Sequence, residues 1–375
     1  MLAGQPTVSV VMTAYNAEAT IAAAIRSILG QSLREFELVI VDDGSTDGTA
    51  SEVRAFADPR IRLLRNEANL GISRSANRGV AAAAAPLIAR MDADDIALPT
   101  RLARQVRFLE QHPDILALGT AMRRIDRDGR PGRVVVLPKT DGELRLLTLW
   151  GAPIHNPTAM IRRCAFTELG LRYRSDLAVG EDYDFWARLL THGPIANLGS
   201  VECYYRTWDS SISSRGEERH RLAHLAIADG HAARLFGPAS PLRGELSWLV
   251  GHWLRREPPD AAAATRMAWV LAGAIDAYAA SHPQAGRARL LRCAGEPLLY
   301  AALKGNPHRA AAARALAARA PALFLAGGLG HLARLRHELL PSAERRGPAS
   351  RQAGRASAIL PTRPEARPRG RHHRF

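Results

Sequence analysis

The chain has 375 residues, a formal net charge of +15, and 47% hydrophobic but only 6% aromatic residues. That length suffices for one large domain or two ordinary ones, and three widely spaced cysteines argue against a disulfide framework or a zinc knuckle. No window has the roughly 18 uncharged apolar residues of a membrane-spanning helix, and the first residues lack a signal-peptide pattern. We therefore expect a cytoplasmic protein.

Apolar runs alternate with helical periodicity over the first hundred residues. The apolar runs predict buried strands at residues 8–13, 36–41, 61–65 and 87–91. Helical spacing predicts helices at residues 21–29, 48–57 and 72–84. Strand–helix–strand alternation implies right-handed crossovers and a mostly parallel sheet. The predicted fold class is therefore α/β.

The pattern changes from residue 98 onward. We predict a helix at 98–111, strands at 116–119, 121–125, 134–137, 159–161 and 201–206, and a helix from Glu181. The strands at 121–125 and 134–137 flank a turn and predict an antiparallel insertion. These elements complete a first predicted domain of residues 1–215.

The positive charge belongs to the remainder of the chain. Residues 1–215 carry 26 Lys+Arg against 25 Asp+Glu, whereas residues 216–375 carry 25 against 11. We predict an α-helical region at residues 216–341, and a disordered basic tail at 342–375 because nine arginines and four prolines cannot form a core. Basic excess is typical of proteins that bind nucleic acids or anionic membranes.

Polar clusters follow three of the predicted strands. They are Ala14-Tyr15-Asn16 after the first strand, Asp42-Asp43 after the second, and Asp92-Ala93-Asp94-Asp95 after the fourth. Ligands of open α/β sheets bind outside the carboxyl ends of the strands, so we expect one crevice lined by all three. Asp92 and Asp94 project to one side of the chain. Close carboxylates repel unless a cation lies between them, which favours a Mg²⁺ or Mn²⁺ site over a solvated acidic loop.

Several segments resemble the family 2 glycosyltransferases. Residues 8–16 (VSVVMTAYN), 37–47 (ELVIVDDGSTD) and 69–77 (NLGISRSAN) look like the opening of that family. The Asp92–Asp95 cluster resembles its Asp-x-Asp metal motif, and residues 180–189 (GEDYDFWARL) resemble the segment that supplies its catalytic base. The likeness extends in the right order over residues 6–215.

The resemblance implies a GT-A fold that transfers a sugar, with inversion, from a nucleotide-diphosphate donor to a hydroxyl of a glycan or lipid-linked glycan. It implies Asp182 as the catalytic base and a divalent ion, Mn²⁺ or Mg²⁺, on Asp94 with Asp92. The implied nucleotide-sugar site comprises Ala14, Tyr15, Asn16, Asp42, Asp43, Arg74, Asp92, Asp94 and Arg206. His155 and Glu181 are candidate contacts to the acceptor or a phosphate.

These roles agree with the chemistry. A carboxylate accepts hydrogen bonds from a uracil N–H or a ribose hydroxyl, and a divalent cation neutralises a leaving diphosphate. A base must be ionised to take a proton, and the predicted helix start at Asp182 favours the ionised form.

One residue departs from the family pattern. Many relatives carry a histidine two positions after the Tyr-Arg pair that ends the last strand, and Trp208 stands there in this sequence. Indole cannot ligate a metal. Either the aspartates and phosphates complete the coordination, or Asp209 or His155 substitutes, or metal affinity is weak.

The basic region leaves its own alternatives open. Trp248 and Trp253, followed by Arg255 and Arg256, are compatible with a segment lying on an anionic membrane or with the core of a helical domain. The arginine-rich tail lacks interleaved aromatic residues, which argues against specific nucleic-acid binding.

Two other functions compete with the transferase. A nucleotidyltransferase would need a glycine-rich phosphate loop, and residues 14–19 contain none. The other is a catalytically weak or inactive GT-A-like protein whose basic extension binds a membrane or nucleic acid.

Overall fold

The structure is a computed structural model that describes residues 5–208, 217–254 and 259–294, with isolated positions between 313 and 325. The predicted tail at 342–375, both predicted domain boundaries, Asp209, Arg255 and Arg256 lie outside the described residues.

Nine strands of the described chain form one sheet. They are β1 (Val8–Ala14), β2 (Phe36–Asp42), β3 (Ile61–Arg65), β4 (Leu87–Asp92), β5 (Ile96–Ala97), β6 (Ala117–Ile125), β7 (Pro131–Val135), β8 (Met160–Arg162) and β9 (Ile195–Arg206). Their order is β3-β2-β1-β4-β8-β6-β9-β5, and β7 pairs with β6 off this path. Strands β3, β2, β1 and β4 are mutually parallel, as are β6 and β9. The predicted α/β class is confirmed.

The three continuous described segments also contain ten α-helices. They are α1 (Ile21–Leu29), α2 (Thr49–Arg54), α3 (Ile72–Ala82), α4 (Arg101–Gln111), α5 (Asp141–Leu147), α6 (Cys164–Thr167), α7 (Glu181–Leu189), α8 (Glu217–Phe236), α9 (Pro241–Leu254) and α10 (Ala261–Ser281). The predicted antiparallel insertion is confirmed as the β6–β7 hairpin. The two short strands predicted at 116–119 and 121–125 are one continuous strand, β6, with a shift of register against β9.

The sheet core forms because successive strand residues point to opposite faces. Val8, Val10 and Met12 of β1 pack with α1 and α4 on one face. Val11 packs on the other face with α3 and α7. Both faces of the central strands are therefore covered, which explains why these strands are continuous apolar runs in the sequence.

The parallel register brings the ends of three strands together. Ala14 of β1 lies opposite Asp42 of β2, and Thr13 lies opposite Asp92 of β4. The three polar clusters therefore begin at one edge of the sheet, as predicted.

Helices α8, α9 and α10 share a separate apolar cluster that includes Leu146, Leu149 and Trp150 from α5 and the turn after it. Trp248 is partly buried against this cluster, and the Arg266 guanidinium lies 4.1 Å from the centre of its ring. For Trp248 the core interpretation is therefore correct. Among the described residues, no helix is both long and apolar enough to cross a bilayer.

Candidate active site

An acidic turn follows β4 and is fastened to the end of β9. The backbone N–H of Arg206 donates to Asp95 Oδ1 at 2.8 Å, and Arg206 Nε donates to the Asp94 carbonyl at 2.9 Å. Asp95 is fully buried, and burial raises its pKa well above the usual value. Asp92 Oδ1 and Asp95 Oδ2 are buried without a hydrogen-bond partner in the described chain. The turn therefore concentrates carboxylates that the rest of the fold does not neutralise.

The start of α7 brings two more carboxylates to this turn. Gly180 adopts a left-handed conformation, φ +78°, that glycine favours, and α7 begins at the next residue. Asp182 Oδ1 accepts the N–H of Tyr183 at 2.7 Å, which orients the carboxylate. Burial raises the pKa of Glu181 to about 7, with further contributions from the charges of Asp182 and Asp92.

The pKa of Asp92 shows that the two segments form one electrostatic unit. Burial raises it to about 6, the charge of Arg90 opposes that rise, and the carboxylates of Asp94 and Asp182 add to it. Burial also raises the pKa of Asp182. The structure thus brings the predicted metal ligands and the predicted base into one cluster.

Arg90 is a site residue that the sequence reasoning missed. It is fully buried, donates from Nη1 to the Val11 carbonyl at 3.1 Å, and lies 5.6 Å from the centre of the Tyr173 ring. Nε and Nη2 are buried without a hydrogen-bond partner in the part of the chain described. Its charge lowers the pKa values of Asp92, Asp182 and Glu181. The signal was an arginine inside an otherwise apolar strand, with Asp92 two residues on and thus on the same face.

Arg101 is a second buried cation that the sequence reasoning missed. Its Nη2 donates to the Arg90 carbonyl at 2.7 Å, and its Nε donates to Gln105 at 3.2 Å. Its charge lowers the pKa values of Asp92 and Asp95. Arg90 and Arg101 therefore provide positive charge beside the acidic turn.

Asp42 and Asp43 organise the loops at the neighbouring strand ends. Asp42 is buried, accepts the Ser45 N–H at 2.9 Å and pairs with Arg65 at 3.1 Å. Asp43 accepts the N–H groups of Leu70 and Gly71, both at 2.9 Å. Both predicted nucleotide contacts thus shape the crevice wall.

The remaining residues of this edge divide into buried and open positions. Ala14 is buried, and Asn16 accepts the Thr46 N–H at 3.0 Å from a positive φ of 49°. Tyr15 is 49% exposed. Arg74 is exposed in the first turn of α3. Of these residues, Tyr15, Asn16 and Arg74 are exposed and Ala14 is buried.

Arg206 is predicted to contact the nucleotide-sugar, and His155 to contact the acceptor or a phosphate. Arg206 donates to the carbonyls of Asp94, Asp126 and Arg127, so its guanidinium braces two turns. His155 Nε2 is buried without a partner in the described structure. Burial lowers the pKa of His155 to about 4, and Arg124 lowers it further. His155 is therefore neutral at pH 7 and adjoins Arg124.

Comparisons with known proteins agree with this geometry. The family model for glycosyl transferase family 2 matches residues 9–170. The UDP-Glc:alpha-D-GlcNAc-diphosphoundecaprenol beta-1,3-glucosyltransferase WfgD of Escherichia coli is 32% identical over 209 residues, 55% of this chain and 79% of that protein. The chain belongs to the family 2 glycosyltransferases.

Two further comparisons extend this result. The succinoglycan biosynthesis protein ExoU of Rhizobium meliloti is 35% identical to this glycosyltransferase over 209 residues, 52% of this chain and 60% of that protein. The crystal structure of S. aureus TarS 1-349 in complex with UDP-GlcNAc has a TM-score of 0.55 at 19% identity, covering 83% of this chain and 89% of that one. The likeness to TarS shows the fold, and the predicted GT-A architecture is confirmed.

Two side chains of the glycosyltransferase are suited to bind a divalent ion. Among its described residues, no group of three or more His, Cys, Asp or Glu side chains is arranged to hold a metal. Asp92 and Asp94 nevertheless offer the hard oxygen ligands that Mg²⁺ and Mn²⁺ prefer. Asp92 Oδ1 is buried and unpartnered, so the chemistry of these residues fits such an ion.

Trp208 contacts one of these predicted ligands. Its indole Nε1 donates to Asp94 Oδ2 at 2.7 Å, and the side chain is 37% exposed. An indole N–H can donate but cannot coordinate a metal. At the position where a histidine was expected, this enzyme therefore has a group that occupies an oxygen of Asp94.

Proposed function

We propose that this glycosyltransferase is inverting and metal-assisted. It moves a sugar from a nucleoside-diphosphate donor to a hydroxyl of a glycan or lipid-linked glycan, with Asp182 as the base. The observation that carries the proposal is the convergence of Asp182 with the Asp92–Asp95 turn at the open edge of the sheet.

The exposed residues near the ends of β1 and β2 support the proposal that the donor is a nucleotide-sugar. Tyr15 offers an exposed aromatic ring after the end of β1, and Arg74 offers an exposed guanidinium in the first turn of α3. Arginine forms strong charge-assisted bonds to phosphate. The name of WfgD gives UDP-Glc as its donor, and TarS was crystallised with UDP-GlcNAc. UDP-sugars are therefore the first donors to test.

The transfer step sets the requirements on the chain's own residues. The acceptor oxygen bonds to the anomeric carbon as the bond to the diphosphate oxygen breaks, and the diphosphate leaves with the electron pair. Asp182 takes the proton of the acceptor hydroxyl. Asp94, with Asp92, would hold a divalent ion that stabilises the charge growing on the diphosphate. The charge of Arg90 favours the ionised form of Asp92 and Asp182 that both tasks require, and so opposes the rise in pKa that burial causes.

The names of two relatives support the proposed acceptor and location. ExoU is named for succinoglycan biosynthesis, and the name of WfgD gives an acceptor linked to a diphosphate lipid. We place the enzyme in the cytoplasm with peripheral contact to an anionic membrane, which the net charge of residues 216–375 supports. Cosedimentation with anionic but not neutral liposomes at low salt is expected, and equal recovery with both would refute the membrane contact.

A panel of UDP-, GDP- and dTDP-sugars with Mn²⁺ tests the central proposal. We expect one donor class to bind and to be hydrolysed slowly, and Asp94→Ala to abolish the metal dependence. Asp182→Asn should retain donor binding and lose transfer by about a hundredfold or more. No binding by any donor, with Asp94→Ala behaving as the unaltered enzyme, would refute the proposal.

A catalytically weak enzyme is the second candidate, because Trp208 occupies an oxygen of Asp94. It predicts donor binding that is independent of metal, with no transfer to any acceptor in the same panel.

A further inference from the structure

A second charged cluster lies on the β7–β6–β9 side of the acidic turn. Arg124 of β6 is the register partner of Tyr205 of β9. On its other side, Arg123 pairs with Val134 and Ile125 with Pro131, so a bulge places both Gly132 and Arg133 opposite Arg124. The sheet therefore sets Arg133, Arg124 and Tyr205 side by side.

Among the described residues, no carboxylate forms an ion pair with the arginines in this cluster. Arg124 is half-buried, its Nε is shielded from solvent without a hydrogen-bond partner, and the described residues include no carboxylate paired with it. Burial lowers the pKa of Arg124, and the charge of Arg133 lowers it further. Two neighbouring guanidinium groups without an anion repel each other, and burial of an unpaired charge is costly.

His155 lies beside β6, because its carbonyl accepts the Thr158 hydroxyl, which in turn accepts the backbone N–H of Thr120. Its Nε2 is buried without a partner, and Arg124 is the charged group that acts on its pKa. Nδ1 or Nε2 of a neutral imidazole can donate a hydrogen bond to an oxyanion. Two unpaired arginines and one unsatisfied imidazole form the donor set that a phosphate group binds.

The cluster adjoins the catalytic acids. Burial and the charges of Asp92, Asp95 and Asp94 raise the pKa of Tyr205, whereas Arg124 lowers it. Tyr205 pairs in register with Arg124, and the backbone N–H of the next residue, Arg206, donates to Asp95 Oδ1, so Tyr205 lies between the acidic turn and Arg124. Meanwhile Arg206 Nε and Nη1 are engaged with backbone carbonyls, and Trp208 is uncharged.

We propose that Arg124, Arg133 and His155 form a phosphate-binding site beside the acidic turn. This assignment rests on the proposed function for its two possible sources of phosphate, which are the diphosphate of the donor and the phosphate of a lipid-linked acceptor. In either case the site places positive charge next to the reacting groups, on β6 and β7.

Inorganic pyrophosphate in metal-free buffer is the probe, and isothermal titration calorimetry measures its affinity. We expect the Arg124→Gln/Arg133→Gln variant to bind it about tenfold to a hundredfold more weakly, as expected when charged hydrogen bonds to an anion are lost. Arg123→Gln is the matched control, because Arg123 is the adjacent residue of β6 and points to the opposite face. Equal affinity in all three proteins, each with the same melting temperature, would overturn the assignment.

A second arm identifies the source of the phosphate. If the site binds the donor, a saturating concentration of the nucleoside diphosphate of the active donor prevents pyrophosphate from binding. In that case Arg124→Gln also slows hydrolysis of the donor. If the site binds the acceptor, pyrophosphate still binds, and Arg124→Gln raises KM only for phosphate-bearing acceptors. Pyrophosphate binding that depends on Arg124 in a protein that binds no sugar nucleotide would refute the proposed function and retain the anion site.

Discussion

Replacement of Arg90 by methionine tests how the acidic cluster stays ionised. Arg90 is fully buried between Val11 and Tyr173, and its charge lowers the pKa values of Asp92 and Asp182. Two unit charges about 6 Å apart interact by about 3 kcal/mol at an effective dielectric constant of about 20. One pKa unit corresponds to about 1.4 kcal/mol. Because both carboxylates are partly open to solvent, we expect a rise of about one unit.

The direction of the effect follows from the role of the base. A general base works only when ionised, so a higher pKa moves the acidic limb of the rate profile to higher pH. Arg90→Met should therefore transfer sugar more slowly than the unaltered enzyme on the acidic limb, by up to about tenfold, and nearly equally at pH 9. Initial rates from pH 5 to 9 measure this, with Arg62→Met as the control because Arg62 is an exposed strand arginine. If the folded Arg90→Met variant has the acidic limb of its pH–rate profile at the same pH as the unaltered enzyme, the reasoning is refuted.

Three further substitutions probe other features. Glu181 has its pKa raised to about 7, so the folded state loses stability as pH rises from about 4.5 to 7. In urea unfolding, Glu181→Gln should be about 3 kcal/mol more stable than the unaltered enzyme at pH 8 and equally stable at pH 4, and equal stability at pH 8 would contradict this. Trp208→Phe releases Asp94 Oδ2, so Mn²⁺ measured by electron paramagnetic resonance should bind about three- to tenfold tighter; unchanged affinity would show that the indole does not compete. Gly44 has φ +73° and an added Cβ would lie 2.4 Å from neighbouring backbone, whereas Gly71 has φ +89° with open space. Gly44→Ala should therefore lower the melting temperature more than Gly71→Ala, since both carry the conformational cost of about 1–3 kcal/mol and only the first adds a clash.

The parallel half of the sheet could be predicted closely from the sequence. The strands expected at 8–13 and 36–41 are Val8–Ala14 and Phe36–Asp42 in the structure. Strands covered on both faces are continuous apolar runs, and polar turn residues mark where they end. Because parallel strands end at one edge, the shared position of the three polar clusters followed from the strand assignments alone.

The other half of the sheet depends on contacts between distant parts of the chain. Strand β9 runs from Ile195 to Arg206, but only its second half was predicted, because Asn197 and Gly199 interrupt the apolar pattern. Its pairing with β6 supplies the hydrogen bonds that this pattern does not reveal. The bond between Trp208 and Asp94 joins residues 114 positions apart. No local signal could have indicated it.

The site is best understood as a set of charges that the fold holds apart from their counter-charges. Burial raises the pKa values of Asp92, Glu181 and Asp182 together, although the buried cations Arg90 and Arg101 lie beside them. On the adjoining strands, Arg124 and Arg133 have no described anionic partner. A fold optimised for stability alone would pair these groups with one another. Their separation makes sense when a cation joins the acids and a phosphate joins the arginines, since each ligand then removes a repulsion that the free protein retains.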